Sequence, residues 1–148
     1  MSEIKELEIE TFIQATEDSE KVLTAIKNIF PPELREDNIE FIINKVRGVF
    51  HNPITVVRTK DCPEPKKIIE YIAQQLKESD KMYLFHSMDR RIEKEKMFLR
   101  LGKQELFQNR VEIKEIKDTV KIKITFSKKY SKVDKLLELL EEMGLIIR

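Results

Sequence analysis

The chain has 148 residues, 41% hydrophobic and 37% charged, with 28 Lys and Arg against 27 Asp and Glu and one cysteine, Cys62. That length and apolar share suit one domain with a sizeable core, and a lone cysteine excludes an internal disulfide and a cysteine-rich zinc site. The apolar runs are too short for a membrane span and no secretory pattern opens the chain, so a cytoplasmic protein with no membrane partner is expected.

Lys and Glu dominate, a composition seen in thermophile proteins with dense surface ion pairs. Charge is unevenly placed: residues 1–45 carry a net −6, residues 46–135 a net +9 and residues 136–148 a net −2. A basic middle between acidic ends is either an anion-binding face or a pairing of acidic with basic elements in the fold.

Residues 4–14 alternate, with Leu7, Ile9 and Ile13 on one side and Glu6, Glu8 and Glu10 on the other, which predicts a half-buried strand that Phe12 interrupts. Thr16-Glu17-Asp18-Ser19-Glu20 supplies an N-cap and acidic first turn for a helix with Val22, Ala25, Ile26, Ile29 and Phe30 at helical spacing. Pro31-Pro32 stops it. Strands over 39–47 and 54–60 then form an antiparallel hairpin, and Ile54 and Val56 compete with Thr55 and Val57 for the core. Their connection holds Gly48, one of only three glycines, with His51 and Asn52-Pro53; the glycine predicts positive φ or a close approach.

Pro63 and Pro65 introduce a second helix whose stripe is Ile68, Ile69, Ile72, Ala73 and Leu76. Ser79-Asp80 predicts a new N-cap and a third helix carrying Leu84, Phe85, Met88 and Ile92. A strand follows at Met97, Leu99 and Leu101, ending at Gly102, then a helical turn at 103–107 and the apolar pair Val111 and Ile113. The clearest strand is Val120, Ile122, Ile124 and Phe126 alternating with Lys121, Lys123 and Thr125. Ser131 is the expected cap of a last helix with Val133, Leu136, Leu137, Leu140 and Met143, and Gly144 its left-handed end with Leu145 folding back. The order β-α-β-β-α-α-β-β-α predicts an α+β fold, a two-layer sandwich of a largely antiparallel sheet with helices packed on one face.

Chemistry is sparse. His51 and His86 lie in different elements without a ligand-spaced partner, the serines read as caps and turns, and no glycine-rich phosphate loop occurs. No catalysis, metal or cofactor is therefore expected. Arg58 and Lys60, Arg100 and Lys103, and Lys121 and Lys123 project from strands or strand ends at regular spacing, as phosphate-tracking residues do. For Lys121 and Lys123 the alternative is cross-strand pairing with Glu6, Glu8 and Glu10. Lys128-Lys129-Tyr130 is either a solvated turn or charge beside an aromatic. Asn52 and His51 either support an exposed turn or contact a base or 2′-hydroxyl. Arg90-Arg91 either caps a helix or contacts phosphate.

The segments ATEDSEKVLTAIKNIFP (15–31), GVFHNPITVV (48–57) and FLRLGKQELFQ (98–108) occur in the order found in a small archaeal family of RNA-binding, exosome-associated proteins, which the chain resembles over nearly all its length. The resemblance implies a fold similar to that of the large-subunit ribosomal protein that binds 5S rRNA, and an RNA-related role without established catalysis. The chain departs from the family pattern at His51, where a small residue or glycine is usual, and at Gly102, where an aspartate is.

Together these readings predict one RNA-binding-like domain over 1–148 that contacts structured RNA mainly through phosphates. The expected contacts are His51, Asn52, Arg58, Lys60, Arg100, Lys103, Lys128 and Lys129. The alternative is a protein-interaction subunit of an RNA-processing assembly such as the exosome, or a homodimeric scaffold, and it gains if Phe12, Val57 and Phe98 form one exposed patch.

Overall fold

The computed structural model describes residues 3–35, 39–48, 52–59, 61–116 and 118–148. Its elements are β1 (Ile4–Gln14), α1 (Ser19–Lys27), β2 (Ile42–Arg47), β3 (Pro53–Thr59), α2 (Pro65–Gln75), α3 (Glu78–His86), β4 (Ile92–Glu93), β5 (Lys96–Gly102), α4 (Lys103–Phe107), β6 (Thr119–Phe126) and α5 (Val133–Glu142). The strands form one sheet in the order β2-β3-β1-β6-β5-β4, and every neighbouring pair is antiparallel. The expected α+β architecture is what the chain adopts.

Alternation builds this sheet. Leu7, Ile9, Thr11 and Ile13 of β1 and Val120, Ile122, Ile124 and Phe126 of β6 are buried on one face, while the residues between them are not. Ile4 is also buried, because the register with β6 shifts between Ile4 and Glu6 and that bulge resets the phase. Phe12 falls on the glutamate side and stays 47% exposed. The facing of β3 is settled by its pairing with β1: Thr11 lies opposite Val57 and Ile9 opposite Thr59, and both β3 residues are buried. Ile54 and Val56 therefore belong to the opposite face.

Helices supply the second layer. Asp18 caps α1 by accepting from the Glu20 amide at 3.0 Å, and Val22, Ala25 and Ile26 face the sheet. α2 starts at Pro65 after Glu64, whose φ of 46° lies in the left-handed region, and buries Ile68, Ile69, Ile72 and Ala73. Leu136, Leu139 and Leu140 carry α5 into the core, and burying each of these side chains is worth about 1.5–3 kcal/mol. Gly144 ends that helix at φ +80°, and the amide of fully buried Leu145 donates back to the Leu140 carbonyl at 2.9 Å.

Several local expectations change. The third helix stops at His86, because Ser87 turns its hydroxyl onto the Tyr83 carbonyl at 2.7 Å; Met88 enters a 3₁₀ turn and Ile92 a short strand. That helix begins at Glu78 rather than after Asp80, whose carboxylate instead accepts from the Ile113 amide at 3.1 Å. Ser131 lies in a 3₁₀ turn and caps nothing, since α5 starts at Val133 after Lys132. Val133 is 51% exposed and Leu139 takes its place in the stripe. Gly48 has no positive φ; its amide donates to the Asn52 carbonyl at 2.7 Å, and a Cβ there would come within 2.9 Å of the Ile54 side chain, so close approach is what the glycine serves.

Candidate nucleic-acid interface

The face of the sheet opposite the helices carries the charge. Register brings Arg58, Glu10, Lys121 and Arg100 into one row across β3, β1, β6 and β5, and Glu8, Lys123 and Phe98 into the next. At about 4.8 Å per strand the first row spans roughly 14 Å.

Within these rows the cations divide into engaged and available. Arg58 donates to Glu10 Oε2 from Nη2 at 2.6 Å and lies 3.2 Å from Glu8 Oε1 through Nε, while Lys123 Nζ reaches Glu8 Oε2 at 3.2 Å. The hydrogen-bonded Glu10 carboxylate holds the Arg58 guanidinium above its ordinary range. Lys121 lies opposite Glu10 but sends its ammonium over the Phe98 ring, 5.1 Å from the centroid. Arg100 is exposed and has no acidic partner among the described residues. The expected cross-strand pairing is thus made by Lys123 and not by Lys121.

Three depressions mark this face. One of about 290 Å³ is lined by Arg90, Arg91, Phe98, Arg100, Glu115 and Lys121, one of about 400 Å³ includes Phe12, Arg100, Lys103 and Lys121, and one of about 220 Å³ lies among Glu8, Glu10, Arg58, Lys121 and Lys123. Lys121 lines all three, so they form one shallow track with Lys121 at its middle. At the β5 end Arg91 is buried, with Nε on Ser87 Oγ at 2.8 Å and Nη2 on Glu115, whereas Arg90 is exposed beside the Tyr83 hydroxyl.

The residues expected to touch RNA do not all meet. Arg58 and Arg100 lie on the track. Lys103 borders it, but its side chain is 5% exposed and its ammonium donates to the Phe12 carbonyl at 2.7 Å and to Glu17 at 3.1 Å. Lys128 and Lys129 are exposed at the far end of β6, with Lys129 over Tyr130. Asn52 is exposed at the start of β3, and His51 and Lys60 lie outside the described residues. Lys121 and Arg90 line the track without being among the residues expected to touch RNA. Alternation puts Lys121 on the open face, but Lys121 and Arg58 both lie opposite Glu10, and only the side-chain contacts show that Arg58 takes its carboxylate.

Val57 is buried, while Phe12 and Phe98 lie on the open face under different neighbours, so these three do not make one patch. Among the described residues no three His, Cys, Asp or Glu side chains converge as metal ligands, and no helix is long and apolar enough to cross a membrane.

Comparison with known proteins adds the decisive observation. A family model described as RNA binding matches residues 6–126, which takes in all six strands except the first two residues of β1. The chain belongs to this RNA-binding family. It is 33% identical over 121 residues to RNA-binding protein PAB1135 of Pyrococcus abyssi, covering 80% of this chain and 79% of that protein. Its fold is that of protein AF2318 from Archaeoglobus fulgidus, of the DUF54 family (TM-score 0.78, 24% identity, 95% of this chain and 99% of that one). The DUF54 protein Mth689 from Methanothermobacter thermautotrophicus is similar at a TM-score of 0.76 and 22% identity, over 95% of this chain and 97% of that one. The TED and GKQ segments meet in space, since Glu17 and Lys103 are ion-paired.

Proposed function

We propose that the chain is a non-catalytic RNA-binding domain that receives structured RNA on the open face of its sheet, mainly through phosphates. The observation that carries the reading is the track centred on Lys121. In its two strand rows four cations, Arg58, Lys121, Lys123 and Arg100, face two carboxylates, Glu8 and Glu10; the other acids lining the track, Glu115 and Asp118, lie against Arg91 and Lys103, and Lys121 and Arg100 are free of acidic partners among the described residues. Phosphate contacts give affinity without sequence readout, and near-neutral net charge keeps that affinity modest. Arg58 joins by exchanging Glu10 for a phosphate, and Arg90 extends the track beyond β5. Asn52 and the Lys128-Lys129 turn are outlying contacts for an RNA long enough to reach them. The finer setting belongs to the same proposal: a cytoplasmic protein serving an RNA-processing assembly such as the exosome, with a likeness to the 5S rRNA-binding ribosomal protein.

Amide chemical-shift mapping with a short RNA hairpin tests the site. Shifts at Phe98, Arg100, Lys121 and Lys123 support it; shifts confined to α1, α2 and α5 would place RNA on the helical face and overturn it.

A further inference from the structure

We propose that β2 is a self-pairing edge through which two copies of this chain join their sheets. The two edges of the sheet differ. β4 closes one side with only two residues, a length that discourages further pairing, whereas β2 leaves six residues bare on the other. β2 pairs with β3 alone among the described residues, and its other edge has no hydrogen-bond partner among them. All six of its residues are exposed, including Ile42 at 44%, Ile43 at 53% and Val46 at 45%.

The sequence of the strand selects a second copy over an unrelated strand, and it selects the register. Keeping the open faces of both copies on one side requires residues of like parity to face each other. In the register centred on Asn44, Ile42 lies opposite Val46 twice, Asn44 faces its own copy so that the two amides can hydrogen-bond, and Lys45 lies opposite Ile43. Moving the centre to Lys45 sets two ammonium groups directly opposite, and moving it to Ile43 sets Asn44 against Ile42. Only the Asn44 register pairs apolar with apolar on the open face while separating the lysines. Each apolar pair continues the row that Val46 and Ile54 form within a copy, and Asn44 stands in line with Val56 and Phe12. An edge of this length buries on the order of 1,000 Å² in total, the range of weak complexes, so the dimer forms at micromolar or higher concentration. In this register the two Lys45 ammonium groups lie diagonal to each other rather than opposite, so added salt changes the dimer far less than it weakens phosphate binding.

Sedimentation equilibrium from 5 to 500 µM (about two decades around the weak-complex range), at low and moderate salt, tests the association, and two single-cysteine probes test the register. Asn44→Cys should cross-link to its own copy under mild oxidant at least about 10-fold faster than Lys45→Cys, with buried Cys62 giving little background. Val46→Lys should return the protein to monomer while circular dichroism and melting temperature stay unchanged, because the residue touches no core. A protein that is monomeric at every concentration, a dimer unaffected by Val46→Lys, or cross-linking equal at the two positions would each overturn the proposal.

Discussion

Lys103 reaches from the start of α4 to Glu17, just ahead of α1, with its buried ammonium 3.1 Å from the carboxylate and 2.7 Å from the carbonyl of Phe12. One side chain thereby ties the end of β1, the entry to α1 and the entry to α4 together. Asp118, 3.9 Å away and largely exposed, is a weaker second partner, and a buried ammonium that loses its nearer anion is costly to keep charged. Glu17→Ala is expected to cost about 2–4 kcal/mol in chemical denaturation. Lys103→Met, which removes the charge along with its partner's need for it, should cost less. RNA affinity of the folded Lys103→Met protein should stay within about twofold, because a phosphate would have to displace Glu17 to reach this ammonium. A larger affinity loss without a stability loss would return Lys103 to the RNA contacts.

Arg58 is held by two carboxylates, so the track is partly self-neutralised. Glu10→Gln keeps the shape of the side chain, removes one negative charge and loosens the guanidinium, which keeps only Glu8 as an anion among the described residues. Tighter RNA binding is expected, with a salt dependence steeper by about one phosphate contact. The pair is partly exposed, and its loss should cost no more than about 1 kcal/mol. Unchanged affinity would show that Arg58 stays out of the interface.

Burial pushes the Cys62 thiol up to about 11. At pH 8 its alkylation in the native protein should be slower than in denaturant by roughly 100-fold or more. The folded state holds this proton longer than the unfolded state does, so the unfolded chain ionises first. Stability is therefore complete below about pH 8.5 and falls by roughly 2–3 kcal/mol as pH rises to 11. Cys62→Ala should lack that part of the alkaline decline, and identical pH profiles for the two proteins would contradict the burial.

Asp18 caps α1 through the Glu20 amide. Asp18→Ala should cost about 1 kcal/mol and lower the melting temperature by about 3 °C. Asp18→Asn, which keeps the acceptor, should recover most of it.

Most of the layer architecture was legible in the sequence because period-2 and helical spacing are written locally. β1, β6, α1 and α2 could be read from Leu7-Ile9, Ile122-Ile124, Asp18 and Pro65. What was illegible depended on partners far along the chain. The facing of β3 needed Thr11 opposite Val57, and the end of α3 needed Ser87 to bond the preceding turn in place of continuing it. The site suffered most. Arg58 and Lys103 look free in sequence, since Glu8, Glu10 and Glu17 lie more than 45 residues away, yet the fold gives both of them carboxylates. Lys121, flanked by the same acidic strand, is left open by its position over Phe98.

The most direct test is an RNA-hairpin titration of the wild-type chain and the Arg100→Ala/Lys121→Ala double variant across 50 to 200 mM salt, the range over which phosphate contacts weaken steeply. The account predicts a wild-type affinity that falls with salt, and a variant that binds several RNAs more weakly by similar factors, with a slope shallower by about two phosphate contacts. A variant with wild-type affinity and slope would contradict it.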